Sequence, residues 1–321
     1  MADNTSYALG IDLGGTKLLT ALIRNDGYVI DTIEHRTVVH QGETALKEQL
    51  QTSVRELMQQ VSISEERLCG FGVATAGVID MKKAEIVFAN NIGIRNAPIG
   101  TWLQEVCSLP VFLGNDANVA AVGEWLYGAG SGCRNVIYVT VSTGIGSGII
   151  VDGKLITGAG DSAGEFGHIS VDLMGPPCPC GGRGCLEIYA SGTALSQFIV
   201  KRMEEGEHSA YLQPYFPAIS SREIAQAAQQ GDRLALQAFA RIGYYLGAGL
   251  SNLIHILNPE RIVLGGGVMQ AAEYFMPTVE RTLDELCIPK IRSQVQLSRS
   301  TLGAQAGIKG AAGLVFSQCI D

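Results

Sequence analysis

Residues 7–33, YALGIDLGGTKLLTALIRNDGYVIDTI, decide the fold class. An apolar segment is followed by the turn LGGTK, a second apolar segment, the turn at 25–27 and a third apolar segment. Asp-Gly between two apolar segments is a strong signal for a β-hairpin. The stretch therefore predicts three consecutive strands joined by two tight turns.

Residues 136–156 repeat this plan. The segment VIYVTV is followed by the turn STGIGSG, the segment GIIV, the turn Asp152-Gly153 and the segment KLI. We interpret the match as a weak internal repeat, which predicts two similarly built lobes. Each lobe is expected to present a turn of small residues towards a gap between them.

The rest of the chain alternates between helical and strand patterns. Helical periodicity occurs at 43–60, in two segments of 222–256 broken near Gly231, and after Gly303. Further strands are expected in 106–116 and in 261–268, and segment 204–220 is expected to be a loop. This alternation predicts α/β lobes with parallel or mixed sheets.

Composition excludes several classes of protein. The chain has 321 residues, 46% of them hydrophobic, which favours two domains over one. Its net charge is -8 without any basic run, so nucleic acid is not an expected partner. No apolar run is long enough to span a membrane, and the first residues lack the pattern of a signal peptide. Scattered single cysteines favour a cytoplasmic location.

Three glycine turns follow predicted strands. Glycine lets the backbone approach a phosphate closely, although each turn alone also fits a tight hairpin, and none is a Walker loop. Together with the repeat, they suggest a nucleotide held between two lobes. The residues concerned are Asp12, Gly14, Gly15, Thr16 and Lys17 in the first turn, Thr143 and Gly144 in the second, and Gly265, Gly266 and Gly267 in the third.

The segment GNDAN at 114–118 places Asp116 between a strand and a helical pattern. One interpretation is that Asn115 or Asp116 merely caps the helix. The other is that Asp116 is a general base, which accepts a proton from a substrate hydroxyl as that hydroxyl attacks phosphorus. Asn115 would then bind neighbouring hydroxyls.

The segment CPCGGRGC at 178–185 is typical of a metal site. Cys178, Cys180 and Cys185 form with His168 a Cys₃His set, which suits tetrahedral zinc. A cytoplasmic location disfavours a disulfide, and Cys-x-Cys is not the redox spacing. Four protein ligands leave no open position, so the zinc is expected to be structural rather than that of a hydrolase. Glu165 and Glu187 flank this loop and are expected to bind sugar hydroxyls.

The segments DLGGTK, GNDAN, VSTGIGSG, GEFGHI with CPCGGRGCLE, and VLGGGV resemble, in this order, the ROK family of repressors and sugar kinases. The likeness runs from about Tyr7 to Leu314. It implies an actin-like, hexokinase-type (ribonuclease H-like) fold of two α/β lobes, with sugar, ATP and Mg²⁺ in the cleft. It also implies a homodimer or homotetramer. We expect a smaller lobe of 1–117 plus 303–321 and a larger lobe of 118–302.

The resemblance also implies roles for individual residues. Asp116 would be the catalytic base and the three glycine turns would serve the nucleotide. His168 would bind both zinc and sugar. The remaining residues that would contact the sugar are Gly77, Asn91, Asn115, Glu165 and Glu187.

Two segments depart from the pattern of bacterial glucokinases. Residues 90–94 are NNIGI where these enzymes often have PNLGW, and residues 74–77 are ATAG where Gly-x-Pro-Gly is usual. Both should border the sugar. Glucose is the leading substrate, with N-acetylmannosamine second and fructose, mannose or allose as other options.

Two interpretations without catalysis stay open. One is a sugar-responsive ROK regulator, although DLGGTK begins at residue 12 and leaves no room before it for a helix-turn-helix. The other is a sugar-binding protein without turnover, in which the nucleotide turns would have no purpose.

Overall fold

The computed structural model describes residues 5–318. Strands and helices alternate, which confirms the α/β class. The strands are β1 Tyr7–Leu13, β2 Lys17–Arg24, β3 Val29–Arg36, β4 Leu68–Thr75, β5 Val78–Asp80, β6 Glu85–Ala89, β7 Ile94–Ala97, β8 Val111–Asn115, β9 Val136–Val141, β10 Ile145–Val151, β11 Lys154–Leu155, β12 Arg261–Gly265 and β13 Gln296–Arg299. The α-helices are α1 Glu43–Gln60, α2 Ile99–Gln104, α3 Asp116–Tyr127, α4 Glu187–Ala190, α5 Gly192–Glu204, α6 Ser221–Gln229, α7 Arg233–Leu257, α8 Met276–Leu286, α9 Pro289–Arg292 and α10 Ala306–Gln318.

Two five-stranded sheets share one strand order. The first is β3-β2-β1-β4-β8 and the second is β11-β10-β9-β12-β13. In the first sheet β1, β2 and β3 are antiparallel neighbours, whereas β4 and β8 run parallel to β1. In the second, β10 and β11 are antiparallel and β12 and β13 are parallel. The common order confirms the internal repeat predicted from the two hairpin stretches.

A third, antiparallel sheet, β5-β6-β7, was not predicted from the sequence. Its strands are three to five residues long, and they lie along the chain between β4 and β8. Such short segments give too few alternating positions for a periodicity to emerge.

The chain divides into two compact units. Unit 1 comprises Met1–Tyr138, Gly148–Gly164 and Ser300–Asp321, and unit 2 comprises Val139–Ser147 and Glu165–Arg299. Unit 1 extends beyond residue 117 because α3 packs along α10 within it. The sequence places the lobe boundaries at residues 117 and 302, which differ from the bounds of these compact units. The division into two lobes at 117 and 302 therefore stays a prediction.

The first sheet is packed on both faces. Leu9, Ile11 and Leu13 point to one face of β1, where they join a large apolar cluster that includes residues of α1. Ala8 points to the other face, where α10 supplies Ile308 and other apolar side chains. The alternating side chains of β1 therefore contribute to two apolar clusters, one on each face of the sheet.

Glycines let α10 lie directly on the sheet. A Cβ added at Gly72 of β4 would lie 1.7 Å from the carbonyl oxygen of Ala311, and one added at Gly10 of β1 would lie 2.8 Å from that of Ile308. Backbone atoms cannot rotate away as side chains can. These two glycines are therefore required by close packing.

We expect Gly72→Ala to destabilise the protein by about 1–3 kcal/mol, because the new methyl group forces strand and helix apart. Gly160→Ala is the matched control, since a Cβ at Gly160 meets nothing within 4 Å. The free energy of unfolding in urea measures both. Equal stability of the two variants would contradict the packing account.

A buried carboxylate joins α3 to the segment that leads into α10. Glu124 has no exposed surface and accepts hydrogen bonds from the backbone nitrogens of Ala129 (2.9 Å) and Leu302 (3.0 Å) and from the hydroxyl of Ser300. Several donors satisfy the carboxylate, as a buried charge requires. Glu124 therefore fixes residues 300–302 within unit 1.

Unit 2 is built around α7, the longest described helix. Gly243 and Gly247 of α7 face Thr278 and Thr282 of α8, which lets the two helices approach closely. None of the described helices combines the length and the apolar character needed to cross a membrane.

Candidate functional site

Unit 1 gathers polar residues at one edge of its five-stranded sheet. Strands β1, β4 and β8 are parallel, and their register pairs Asp12 with Ala74 and Thr75 with Asn115. Asp116 follows Asn115 directly. Ligands of open α/β sheets bind beside the carboxyl ends of the parallel strands. The structure thus brings Asp12, Asn115 and Asp116 together where a ligand is expected.

Asn115 and Asp116 begin helix α3. Asn115 is the N-cap, and its Oδ1 accepts a hydrogen bond from the Ala117 nitrogen at 3.0 Å. One oxygen of Asp116 accepts from the same nitrogen at 2.8 Å. The capping interpretation is therefore confirmed for Asn115. The Asp116 carboxylate is exposed, so a substrate can reach it.

Asp12 lies beside Asp116. Burial raises the pKa of Asp12 above its usual value, the negative charge of Asp116 raises it further, and Lys17 opposes the shift. Helix α10 closes one side, because a Cβ at Gly307 would lie 2.7 Å from Asp12 Oδ2. Two neighbouring carboxylates of this kind would be stabilised by a cation, and carboxylate oxygens suit Mg²⁺.

The first glycine turn is held by its own backbone and by Thr37, which follows β3 directly. The Gly14 nitrogen donates to the carbonyl of Lys17 at 3.0 Å, and the Thr37 hydroxyl donates to the carbonyl of Gly14 at 2.7 Å. Lys17 forms an ion pair with Glu34 of β3 (3.2 Å). Thr16 is exposed at the tip. Lys17, which the sequence predicts to contact the nucleotide, thus already forms an ion pair. Because both side chains are exposed, this ion pair is weak.

The two other sugar positions predicted in unit 1 lie near the small sheet. A Cβ at Gly15 would lie 3.0 Å from the carbonyl oxygen of Asn91, so Asn91 packs against the glycine turn. Gly77 has a φ of 109° and approaches the carbonyl of Phe88 in β6. A side chain at Gly77 would be strained and would clash there. Both positions are exposed.

In unit 2 the turn after β9 packs against the start of α5. The Gly192 nitrogen donates to the carbonyl of Ser142 at 2.7 Å, and the Thr193 hydroxyl donates to that of Thr143 at 2.8 Å. Gly266 has a φ of 92°, and a Cβ there would lie 2.3 Å from the carbonyl oxygen of Val141. The second and third glycine turns are therefore neighbours, whereas Gly265 is buried inside β12.

Two cavities open beside these turns and share Ser221, Gly267 and Val268. The first, of about 240 Å³, is lined almost entirely by glycines and hydroxyls, which can hydrogen bond phosphate. The second, of about 440 Å³, includes Phe239 and Tyr274 among polar side chains. A hydroxyl-rich cavity next to a partly aromatic one matches the phosphates and base of a nucleotide.

Besides Ser142 and Val268, which adjoin the predicted glycine turns, sequence reasoning missed five residues of the first cavity. Each lies at or near the N-terminus of α5 or α6, about 50 to 80 positions along the chain from the second glycine turn. A signal was present, because Ser or Thr directly before a helical pattern indicates a helix start. The five residues are Gly192, Thr193, Ser196, Ser220 and Ser221.

Glu187 faces the second glycine turn from α4. Its Oε2 accepts a hydrogen bond from the Ile145 nitrogen at 2.9 Å, and a Cβ at Gly144 would lie 2.3 Å from the same oxygen. Gly144, predicted for the nucleotide, therefore makes room for Glu187. The half-buried carboxylate is fixed in orientation, which a residue that orients a substrate requires.

The cysteine loop forms a cluster of four donor atoms. One atom each from His168, Cys178, Cys180 and Cys185 lies within 4.8 Å of all the others. The sulfurs of Cys180 and Cys185 are 3.6 Å apart, close to the edge of about 3.8 Å that tetrahedral zinc with 2.3 Å bonds requires. The described cysteines form no disulfide. The donors present therefore fit zinc.

Ionisation of the thiols differs within this cluster. A hydrogen bond from the Gly182 nitrogen lowers the pKa of Cys180, whereas burial raises that of Cys185. His168 places Nδ1 3.9 Å from the Cys178 sulfur and Nε2 3.9 Å from Glu165 Oε2. Nδ1 is thus the metal-facing atom. Glu165 is largely exposed beside Nε2, so both are accessible to a ligand.

Comparison with known proteins places this geometry in context. The model of the ROK family matches residues 8–318. A glucokinase of Halalkalibacterium halodurans is 34% identical over 315 residues, which cover 97% of this chain and 96% of the relative. A xylose repressor of Bacillus spizizenii is 31% identical over 315 residues, but these cover only 78% of the repressor.

A solved structure of a ROK family protein is similar to this chain in both fold and sequence. The crystal structure of a ROK family glucokinase from Streptomyces griseus, in complex with glucose and AMPPNP, matches with a TM-score of 0.78. Its sequence is 33% identical, and the match covers 96% of this chain and 99% of that one. The α/β fold with mixed sheets described above is thus that of the hexokinase-type structures of this group.

Proposed function

The chain belongs to the ROK family of proteins, and from that premise we propose that it is an ATP-dependent hexose kinase. The proposed reaction transfers the γ-phosphate of ATP to the 6-hydroxyl of glucose. The observation that carries the proposal is Asp116, an exposed carboxylate at the end of β8 beside the half-buried carboxylate of Asp12. N-acetylmannosamine, fructose, mannose and allose are the alternative acceptors, because residues 74–77 and 90–94 differ from the glucokinase pattern.

Asp116 would act as the general base. Its carboxylate would take the proton of the 6-hydroxyl as that oxygen attacks phosphorus, so that no free alkoxide forms. Mg²⁺ bound with ATP would supply positive charge to the transferring phosphate, and Asp12 is the carboxylate suited to face it. Asn115 can donate its side-chain NH₂ to a sugar hydroxyl, because only its Oδ1 is used in capping α3.

Unit 2 would hold the nucleotide and the other sugar hydroxyls. The cavity lined by Ser142 and Thr143 would take the phosphates, and the cavity lined by Phe239 and Tyr274 would take the base. Glu187 has one oxygen fixed by the Ile145 nitrogen, which orients the other for a sugar hydroxyl. Glu165 and His168 Nε2 would bind further hydroxyls. Gly77 and Asn91 would line the sugar in unit 1.

A structural zinc would hold the sugar-binding groups of unit 2 in place. The Cys₃His donors, with His168 Nδ1 turned to the cluster, would bind the metal and leave Nε2 for substrate. When bound, zinc supplies a rigid fourfold link and no catalysis, because the protein donors fill all four positions.

The first test is release of ADP by purified protein with Mg²⁺-ATP and a panel of glucose, N-acetylmannosamine, fructose, mannose and allose. We expect turnover with glucose far above turnover with the other sugars. A different preferred sugar would support the kinase and correct the substrate. Absence of turnover with every sugar, in protein shown to bind glucose and zinc, would overturn the kinase proposal.

The second candidate is a sugar-responsive regulator. The observation that favours it is the 31% identity to a xylose repressor across almost the whole of this chain. A regulator would bind sugar without releasing ADP. The sugar panel therefore separates the two candidates, provided that binding is measured by calorimetry on the same samples.

A further inference from the structure

A separate cavity of about 400 Å³ lies beside α5 in unit 2. It shares no lining residue with the two cavities assigned to the nucleotide. Three cationic side chains line it, together with one carboxylate and an apolar wall. The residues that matter are Lys201, Arg202 and Arg241, then Glu205, then Ile188 and Phe198. We call this space the Arg241 cavity.

Three aromatic rings hold the guanidinium of Arg241. Its central carbon lies 4.9 Å from the ring centre of Tyr245, 5.0 Å from that of Tyr189 and 5.3 Å from that of Phe198. Tyr189 and Tyr245 are themselves stacked at 4.1 Å. Cation–π contacts of this kind fix a side chain without neutralising its charge. Arg241 is therefore positioned before any ligand arrives.

Arg241 makes no ion pair with a described carboxylate, although Glu205 lines the same cavity. Within residues 5–318, no carboxylate lies at ion-pair distance from this guanidinium. Burial of the aliphatic part of Arg241 does not by itself require that its guanidinium line a cavity. An arginine that lines a cavity, is held by aromatic rings and has no ion-pair partner among the described residues is available to bind an anion there.

The two neighbouring cations are paired to different degrees. Lys201 is 3.9 Å from Glu205, and both side chains are exposed, so the pair is weak. Arg202 pairs with Glu207, but its Nε is buried and has no hydrogen-bond partner among the described side chains and backbone. Lys201 is thus the cation that can turn to a ligand held by Arg241.

We propose that the Arg241 cavity binds the phosphate monoester of a sugar. The planar guanidinium of Arg241 matches two phosphate oxygens, and Lys201 adds a second charge. Glu205 and Gln197, which also line the cavity, can accept hydrogen bonds from sugar hydroxyls. The apolar wall of Ile188 and Phe198 suits the face of a sugar ring. The volume lies within the range of about 300–1,000 Å³ typical of small-molecule sites.

Calorimetric titration of glucose 6-phosphate and, separately, of inorganic phosphate into the intact protein tests this proposal. Lys201→Met and Arg241→Met are the variants. Lys290→Met, which removes an exposed lysine of α9 outside the cavity, is the matched control. We expect each cavity variant to bind glucose 6-phosphate at least about tenfold more weakly, and the control to bind it as the original protein does. Inorganic phosphate should bind more weakly than the ester.

Lys201 keeps the test independent of folding, because 74% of its side chain is exposed and its loss removes no core contact. Any sugar phosphate held at the proposed kinase site would be unaffected by Lys201→Met, so failure of one proposal does not imply failure of the other. Unchanged affinity in both cavity variants would overturn the site. If inorganic phosphate and glucose 6-phosphate bind with equal affinity, the proposal that the cavity recognises the sugar part of the ester is wrong.

Discussion

We expect Asp116→Ala to lower kcat for the preferred sugar by about 10²–10⁴-fold, which is the range that a general base contributes. Sugar affinity should change little, because Asn115, Glu187 and the other proposed hydroxyl ligands remain. The helix should also remain intact, since the Asn115 side chain still accepts from the Ala117 nitrogen. Steady-state kinetics give kcat, and calorimetry with the sugar alone gives its Kd.

Asp31→Ala is the matched control for this variant. Asp31 is an aspartate of β3 in the same unit, and among the described residues its side chain accepts hydrogen bonds from Gln60 and from the backbone nitrogen of Thr32. It should keep normal kcat, which excludes a general effect of lost negative charge. Asp116→Asn keeps an oxygen for the helix cap but cannot accept the proton, so it should resemble the alanine variant. Near-normal turnover in Asp116→Ala would remove this residue as the base.

The second large effect concerns the metal. We expect the purified protein to contain about one zinc per chain and Cys180→Ser to contain far less, because a serine hydroxyl does not replace a thiolate ligand. Loss of metal also removes folding free energy. A loss of at least about 2 kcal/mol would lower the thermal midpoint by about 4–8 °C, and sugar affinity should fall with it. Elemental analysis, thermal unfolding and calorimetry measure the three quantities.

Cys133→Ser provides the control for the metal experiment. Cys133 is a partly exposed free cysteine outside the cluster. It should keep its zinc, its thermal midpoint and its sugar affinity. A chelator should destabilise the original protein and Cys133→Ser alike, while leaving Cys180→Ser unchanged. If Cys180→Ser folds without metal and binds sugar normally, the cluster has no structural role in the site.

Much of the fold could be predicted from local sequence patterns. The presence and order of β1 to β3 followed from apolar segments separated by glycine and Asp-Gly turns, although β3 continues to Arg36, and α1 followed from its apolar face. The internal repeat was visible for the same reason, because each sheet starts with the same turn chemistry. Such features depend on neighbours in sequence, which is where periodicity and turn signals carry information.

The parts that could not be predicted depend on residues distant in sequence. The phosphate-sized cavity joins Ser142 and Gly267 to the starts of α5 and α6, and no local signal connects them. The sequence pattern predicts an ordinary exposed polar position for Glu124 in its helix. The residue is nevertheless fully buried, because Ser300 and Leu302 donate hydrogen bonds to its carboxylate. Lys17 was assigned by motif alone, and its pairing with Glu34 follows from the register of β2 and β3.

Helix α10 completes unit 1 from the far end of the described chain. Its apolar residues pack on β1, formed by residues about 300 positions earlier, while every segment of unit 2 lies before Ser300. During synthesis, the strands of unit 1 therefore leave the ribosome early and wait for their last partner, whereas unit 2 is already complete. Until α10 emerges, Gly10 and Gly72 expose an unprotected sheet face to other nascent chains.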